Sequence, residues 1–339
     1  MAHLHSRRTL SVIAAAAGLA LLAGCSTGGG GTGDTGGDSG SADGKTVAFI
    51  GYGDVNPWGA AFNAVFRPAL EDEGVTIKDM STMDSGAQVQ SFNQAVAEQP
   101  DAIVLALLDT AAMVAPIQKA IQAGIPVIVY DGRPDPAVAD DPLVRQVLSD
   151  NSAVGEFAAE NIIEGLEAQG KTEGTIVVIK GTASMLVTQD RMDAFFKKLE
   201  GTNYEVIAEE DGNWDPTLSG TIATSLFAKF GADGVDAAYG MADYMAIPII
   251  EAAKQAGIAV GADGLVVTSS NCFASGIKSI EAGELYGTAT EDPGTIGAAT
   301  AEYTLSFLKG EDPERVVTME EHRVTADNVG EFAEQCSVA

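Results

Sequence analysis

The stretch Thr46–Leu70, TVAFIGYGDVNPWGAAFNAVFRPAL, constrains the fold of this chain more than any other. Val47, Ala48, Phe49 and Ile50 form a short apolar run that Gly51–Gly53 breaks, which is how a strand buried on both faces of a parallel sheet reads. A polar loop, Asp54–Gly59, follows with Asn56, Pro57 and Trp58 in it. Then Ala61, Phe62, Val65, Phe66 and Leu70 recur at helical spacing. A strand, a ligand-sized loop and a crossover helix make one unit of an open α/β sheet, where ligands bind outside the carboxyl ends of the strands. Asp54–Gly59 is therefore expected to line a binding site.

The alternation continues. Thr76–Met80, Ala102–Leu107, Val127–Tyr130 and Val144–Leu148 read as strands, and Gln88–Glu98 and Ala112–Ala123 as helices. After a loop rich in Pro and Asp, Asp131–Pro142, and the last of these strands, Asn151 or Ser152 is expected to cap a long helix running to about Gln169. A second series follows, with strands Thr175–Ile179, Tyr204–Ala208, Ala237–Tyr239, Leu265–Thr268 and Tyr286–Thr290. Its helices are Gln189–Leu199, Thr217–Phe230, Tyr244–Ala256, Ala274–Ala282 and Thr295–Leu308, and His322–Val324 is a last short strand. Such alternation gives parallel sheets with helices on both faces. Ala120–Ile125, AIQAGI, returns as AKQAGI at Ala253–Ile258, which agrees with two lobes of one topology, although Gly ends helices well in any fold.

The N-terminus does not belong to this pattern. Arg7 and Arg8 precede an apolar run, Leu10–Ala23, too short for a permanent membrane span and laid out as a secretory signal. It ends in Leu22-Ala23-Gly24-Cys25, which resembles the lipobox of bacterial lipoproteins. That implies a signal peptide over 1–24 and a diacylated Cys25; an ordinary signal peptide with a chance Cys is the alternative. Ser26–Gly44 holds nine Gly in nineteen residues and is expected to be a flexible tether, so 25–44 forms the lipidated Cys and its linker. Without the two signal arginines, 17 basic side chains face 48 acidic ones, a net charge of −31. That balance argues against nucleic acid and anionic lipid head groups as partners. His322 is the only histidine outside the signal, and with so few Cys a His/Cys zinc site or His-based triad is not expected.

Two motifs are decoys. Gly165–Thr172 fits the letters of a phosphate-binding loop, yet it ends a helix instead of opening one, with Gly170 as its terminator. Asp211, Asn213 and Asp215 fit the first positions of a calcium loop, but Pro216 stands at the sixth and Ile222 at the twelfth. The stronger signal is that both tryptophans, Trp58 and Trp214, follow predicted strands, where aromatic planes can cover a sugar ring. Loop packing is the alternative for either alone. Polar residues at equivalent places are Asn56, Asp131 with Arg133, Gln189 with Arg191, Asp243, Asn271 and Glu291.

VAFIGYGDVNPW, AIVLALLD, AGIPVIVYDGRP, Arg191–Phe195, NWDP, MADYMA and ATEDPGTIG together resemble the ribose-type periplasmic sugar-binding proteins, the type 1 solute receptors of ABC importers, over about Lys45 to Val329. The resemblance implies two Rossmann-like, doubly wound parallel-sheet lobes, 45–149 plus 292–319 and 150–291 plus 320–339, with a hinge and an interlobe cleft. Asn56 and Trp58 match the family's Asn-Pro-aromatic loop, and Asp131 and Arg133 its Asp-Arg pair with Gly132 inserted. Trp214 matches an aromatic ring wall and Glu291 a polar Gln. Gln189 stands where ribose binders carry Arg, Ala242 where they carry Asn, and Ser270 or Asn271 where they carry Asp, so ribose itself is not implied.

The implied function is a monomeric, extracytoplasmic lipoprotein, held to the bacterial membrane through its lipid alone. It would bind a sugar or polyol and deliver it to an ABC permease with its ATPase, without a cofactor. A sensor subunit serving a receptor kinase, or an enzyme using Asp131 and Glu291 as paired carboxylates, are the rivals. A DNA-binding regulator is excluded by the secretion signal and the charge. Cys272 and Cys336, the only cysteines of the folded part of an exported chain, form either a disulfide or two unpaired buried thiols.

Overall fold

The computed structural model describes residues 40–231 and 233–337. The predicted signal, Cys25 and most of the tether lie outside them. The last tether residues are not free: Gly40 N–H donates to Lys309 O at 2.7 Å, Gly44 N–H to Gly74 O at 3.0 Å, and Ala42 is buried. Residues 40–44, expected to belong to the tether, are therefore part of the packed structure, because backbone hydrogen bonds hold even this Gly-rich segment.

Elements follow in the order β1 (Thr46–Ile50), α1 (Pro57–Glu71), β2 (Thr76–Asp79), α2 (Ser85–Glu98), β3 (Ala102–Ala106), α3 (Thr110–Gln122), β4 (Val127–Asp131), α4 (Pro136–Ala139), β5 (Val144–Ser149) and α5 (Asn151–Ala168). The chain continues with β6 (Gly174–Lys180), α6 (Leu186–Leu199), β7 (Tyr204–Asp211), α7 (Pro216–Phe230), β8 (Ala237–Gly240), α8 (Asp243–Gln255), β9 (Val266–Thr268), α9 (Ala274–Glu281) and β10 (Gly287–Ala289). It closes with α10 (Pro293–Leu308), β11 (Val316–Met319), β12 (Arg323–Thr325) and α11 (Val329–Phe332).

Two six-stranded sheets result, β11-β5-β4-β3-β1-β2 and β12-β10-β9-β8-β6-β7. Both are doubly wound, with the order reversing between β1 and β3 in one and between β6 and β8 in the other. All pairs in the first sheet are parallel; in the second, β12 runs antiparallel to β10. The chain passes from one sheet to the other at 149–151, 289–293 and 319–323. Val316–Met319 was not among the expected strands. It is a short edge strand with alternating half-exposed residues, so it lacks the apolar run that marks the buried ones.

Helices begin earlier than their apolar periodicity suggests, because an Asp supplies the cap. Asp84, Asp109, Asp150, Asp215 and Asp292 each accept a hydrogen bond from the first turn of α2, α3, α5, α7 and α10. The cap of α5 is thus Asp150, where Asn151 or Ser152 was expected, and the calcium-loop look-alike resolves into the Asp215 cap. The core of the first lobe is an aromatic pile. Phe49 lies 5.0 Å from Phe66 and Phe62 4.2 Å from Tyr130, ring to ring. Trp58 stacks on Phe62 at 5.5 Å, so the pile ends at the face turned to the other lobe.

Candidate functional site

The carboxyl ends of the two sheets face one small cavity. Asn56, Trp58, Asp131, Arg191, Trp214, Asn271 and Glu291 all line it, drawn from both lobes. Its backbone is unusually strained. Asp131 (φ 64°), Trp214 (φ 57°) and Asn271 (φ 88°) sit in the left-handed region, with Asn213 and Cys272 beside them. Such conformations cost about 1 kcal/mol or more each and persist where surrounding contacts enforce them.

Each lining residue is positioned by local chemistry. Asn56 caps α1, its Oδ1 accepting from Gly59 N–H at 2.9 Å, and Tyr244 of the opposite lobe lines the same cavity. Pro57 starts α1, which puts Trp58 in the first helical turn instead of at a loop tip. Trp58 Nε1 donates to Glu291 Oε2 at 3.2 Å. Trp214 Nε1 lies 3.1 Å from Met185 Sδ, and the Arg191 guanidinium stacks 5.5 Å from the Trp214 ring centre.

Arg191 is the hub. It is 2 % exposed and donates through Nε to Asn151 Oδ1 (2.8 Å), and through one terminal nitrogen to Met241 O (3.1 Å) and Asn271 Oδ1 (3.3 Å). Its other terminal nitrogen pairs with Glu291 Oε2 at 3.0 Å, and Asn271 Nδ2 donates to the same oxygen. Asp131 Oδ2 accepts from the Tyr52 hydroxyl at 3.0 Å, while its Oδ1 is buried with no hydrogen-bond partner. Burial raises the Glu291 carboxyl well above its ordinary range, Asp131 raises it further, and Arg191 opposes both. Burial also raises Asp131, against the pull of Arg191. Two carboxyls facing one guanidinium in a dry site disfavour the state in which both are ionised.

Three expected site residues do not line the cavity. Asp131 turns in the left-handed conformation and Gly132 N–H returns to Tyr130 O at 2.9 Å, which swings Arg133 outward. There it forms a two-point ion pair with Asp190 (3.0 and 2.8 Å), across the lobes but partly in solvent. Gln189 is exposed and donates to Ala183 O at 2.9 Å, because its place on α6 faces away while Arg191, two residues on, faces in. Asp243 is wholly buried beneath the site. It accepts from Thr288 Oγ1 (2.8 Å), Phe273 N–H (2.6 Å) and Ser269 Oγ, and burial pushes it up to about 7 against those donors. It anchors the Ser269–Phe273 loop that carries Asn271.

The cavity also includes Tyr52, Met83, Met185, Val187 and Tyr244, which were not singled out from the sequence. Tyr52, Met185 and Tyr244 each follow a strand carboxyl end, the same signal that marked the tryptophans. Cys272 and Cys336 are joined as a disulfide, with Cα atoms 5.0 Å apart. Among the described residues no group of His, Cys, Asp and Glu has the arrangement of a metal site, and no helix is long and apolar enough to cross a membrane.

Comparison with known proteins places this architecture. The fructose import binding protein of Bifidobacterium longum is 25% identical over 320 residues, 93% of this chain and 93% of that one. The D-allose-binding periplasmic protein of Escherichia coli is 26% identical over 250 residues, 68% of this chain and 76% of that one. Among solved structures, the Caulobacter myo-inositol binding protein bound to myo-inositol superposes with a TM-score of 0.78 at 18% identity, covering 86% of this chain and 96% of that one. A galactofuranose binding protein gives 0.77 at 23% identity, covering 86% and 98%. All four are binding proteins and none is an enzyme. The family profile described as a periplasmic binding protein domain matches residues 47–312, and the chain belongs to that family.

Proposed function

We propose that this protein is an extracytoplasmic, lipid-anchored receptor that binds a small polyhydroxylated solute between its lobes and hands it to an ABC import permease. The observation that carries this reading is the unpartnered, buried Asp131 Oδ1 beside the Arg191–Glu291 pair, in a cavity flanked by Trp58 and Trp214. A carboxylate with a free acceptor, next to amide and guanidinium donors, matches adjacent hydroxyls, and the indoles match the C–H face of a ring. In this reading Asp131 acts with Arg191 and Asn271, where the family resemblance implied Asp131 with Arg133.

Fructose and D-allose, named for two relatives, set the size of solute to try first. Hydrolysis is disfavoured by geometry. Glu291 Oε2 already accepts from Trp58 Nε1 and Asn271 Nδ2 and pairs with Arg191, so it is not free to act as the second carboxylate of a glycosidase pair. The anchor rests on the Leu22–Cys25 lipobox and the transport role on the family.

The test is a thermal-shift screen of pentoses, hexoses, polyols and nucleosides. A ligand at a hundred times its Kd stabilises by about 2.7 kcal/mol, enough to raise Tm by several degrees. A screen in which no member raises Tm would contradict the reading. For the anchor, Cys25→Ala is expected to lose membrane fractionation after a high-salt wash while binding is kept.

A further inference from the structure

The cleft holds an uneven set of charges. Among its lining residues the ionisable groups are two carboxyls, Asp131 and Glu291, one guanidinium, Arg191, and two phenols, Tyr52 and Tyr244, that burial keeps neutral. The other arginine near the site, Arg133, is committed to Asp190 at the rim. Arg191 is itself fully engaged, with Asn151, Met241 O, Asn271 and Glu291. Its counter-charge is Glu291. That leaves Asp131, 5 % exposed, with one phenolic hydroxyl on Oδ2 and no partner on Oδ1.

A buried carboxylate without a counter-ion is costly, so it acquires either a proton or a cation. A neutral hydroxyl would fill the free acceptor but not the missing charge. An ammonium group fills both, and it also suits the aromatic surround of Tyr52 and Trp58, whose rings meet edge-on with centres 5.7 Å apart. We propose that the solute carries one ammonium group, as an aminated sugar or aminocyclitol, with its nitrogen against Asp131 Oδ1 and its hydroxyls toward Glu291 and Asn271. This inference rests on the solute-receptor reading above and narrows it.

The charge balance gives a signature of its own. On this proposal a proton balances the Asp131–Glu291 pair before ligand arrives, and the ammonium group replaces that proton, which leaves to buffer as the complex forms. A neutral sugar releases none.

The test compares matched probes at pH 7 by calorimetric titration in buffers of different ionisation enthalpy. The amines are D-glucosamine, D-galactosamine and scyllo-inosamine; the neutral partners are D-glucose, D-galactose and scyllo-inositol; the acids are D-glucuronate and D-galacturonate. In at least one set the amine is expected to bind at least about ten-fold tighter than its neutral partner, with near one proton released and the acid undetected. Asp131→Asn should erase both the amine preference and the proton release. A neutral member binding as tightly as its amine, or amine binding without proton release, would overturn the proposal. So would no binding by any of the three amines. If none of the wider solute screen binds either, it is the receptor reading itself that fails.

Discussion

Arg133 pairs across the lobes and Arg191 lines the cavity between them, and burial gives them opposite weight. The Arg133–Asp190 pair is half in solvent on the arginine side, so its Coulomb attraction is screened and side-chain entropy offsets much of it. Arg133→Ala is expected to change stability in urea by less than about 1 kcal/mol. Arg191 faces two carboxyls in a dry site, and removing it leaves both uncompensated. Arg191→Ala should cost about 3–5 kcal/mol, read as a lower denaturation midpoint at unchanged m-value. Equal effects of the two substitutions would mean that the hub is not what holds this face together. At this scale the sequence was only partly legible. Position after a strand marked Asp131, Arg191, Asn271 and Glu291, which line the cavity, but the same rule admitted Arg133, Gln189 and Asp243, which do not. What separates them is side-chain direction: a left-handed turn at Asp131, the helical phase of α6, and a buried cage of hydroxyls around Asp243. None of these leaves a mark in residue type.

The elements were far more legible, because a strand buried on both faces must be a short apolar run and each helix between two strands must show one apolar face. The repeated Q-A-G-I shows why. Gly124 and Gly257 both adopt φ near +75°, just past the ends of α3 and α8, at the same point of the two wound units. The edge strand β11 escaped, since four residues with mixed exposure carry no period, whereas β12, expected at His322–Val324, lies one residue further on at Arg323–Thr325. One element gains its rigidity from a distant cross-link. The loop between β9 and α9 places Asn271, and Cys272 next to it is tied to the C-terminal Cys336 across 64 residues. Cys336→Ser should lower stability by about 2–4 kcal/mol, with denaturant titration as the measure. Alkylation of denatured but unreduced wild-type protein should leave Cys272 and Cys336 unlabelled; labelling of both would remove the bridge.

For the whole molecule the decisive region is where the chain crosses between sheets. Glu321, on the third crossing, accepts from Thr290 Oγ1 on the second at 3.0 Å, and Thr290 Oγ1 accepts from His322 N–H at 2.7 Å. Burial pushes Glu321 up to about 7, opposed by Thr290 and Arg191. Between its unfolded pKa near 4.5 and this value the folded state binds more protons than the unfolded one, so stability falls as pH rises through that window. Asp243, also raised to about 7, acts in the same direction. Tm is therefore expected to be higher at pH 5 than at pH 8, and Glu321→Gln should flatten part of that slope. A Tm that climbs from pH 5 to pH 8 would mean these carboxyls are ionised in the folded protein.

The central claim is that the face between the lobes captures solute through Asp131. It is tested most directly by calorimetric titration of one ligand, taken from the thermal-shift screen, into wild type, Asp131→Asn and Asp135→Asn. Asp131→Asn keeps the size of the side chain but turns an acceptor oxygen into a donor NH₂, which leaves a ligand donor unmatched in a closed site. The expected loss is about 1.5–3 kcal/mol, roughly ten- to more than a hundred-fold in Kd. Asp135, on the same loop, only caps α4, and Asn caps as well as Asp, so Asp135→Asn should bind as wild type does. Equal affinities for wild type and Asp131→Asn would contradict the account and place the binding site elsewhere.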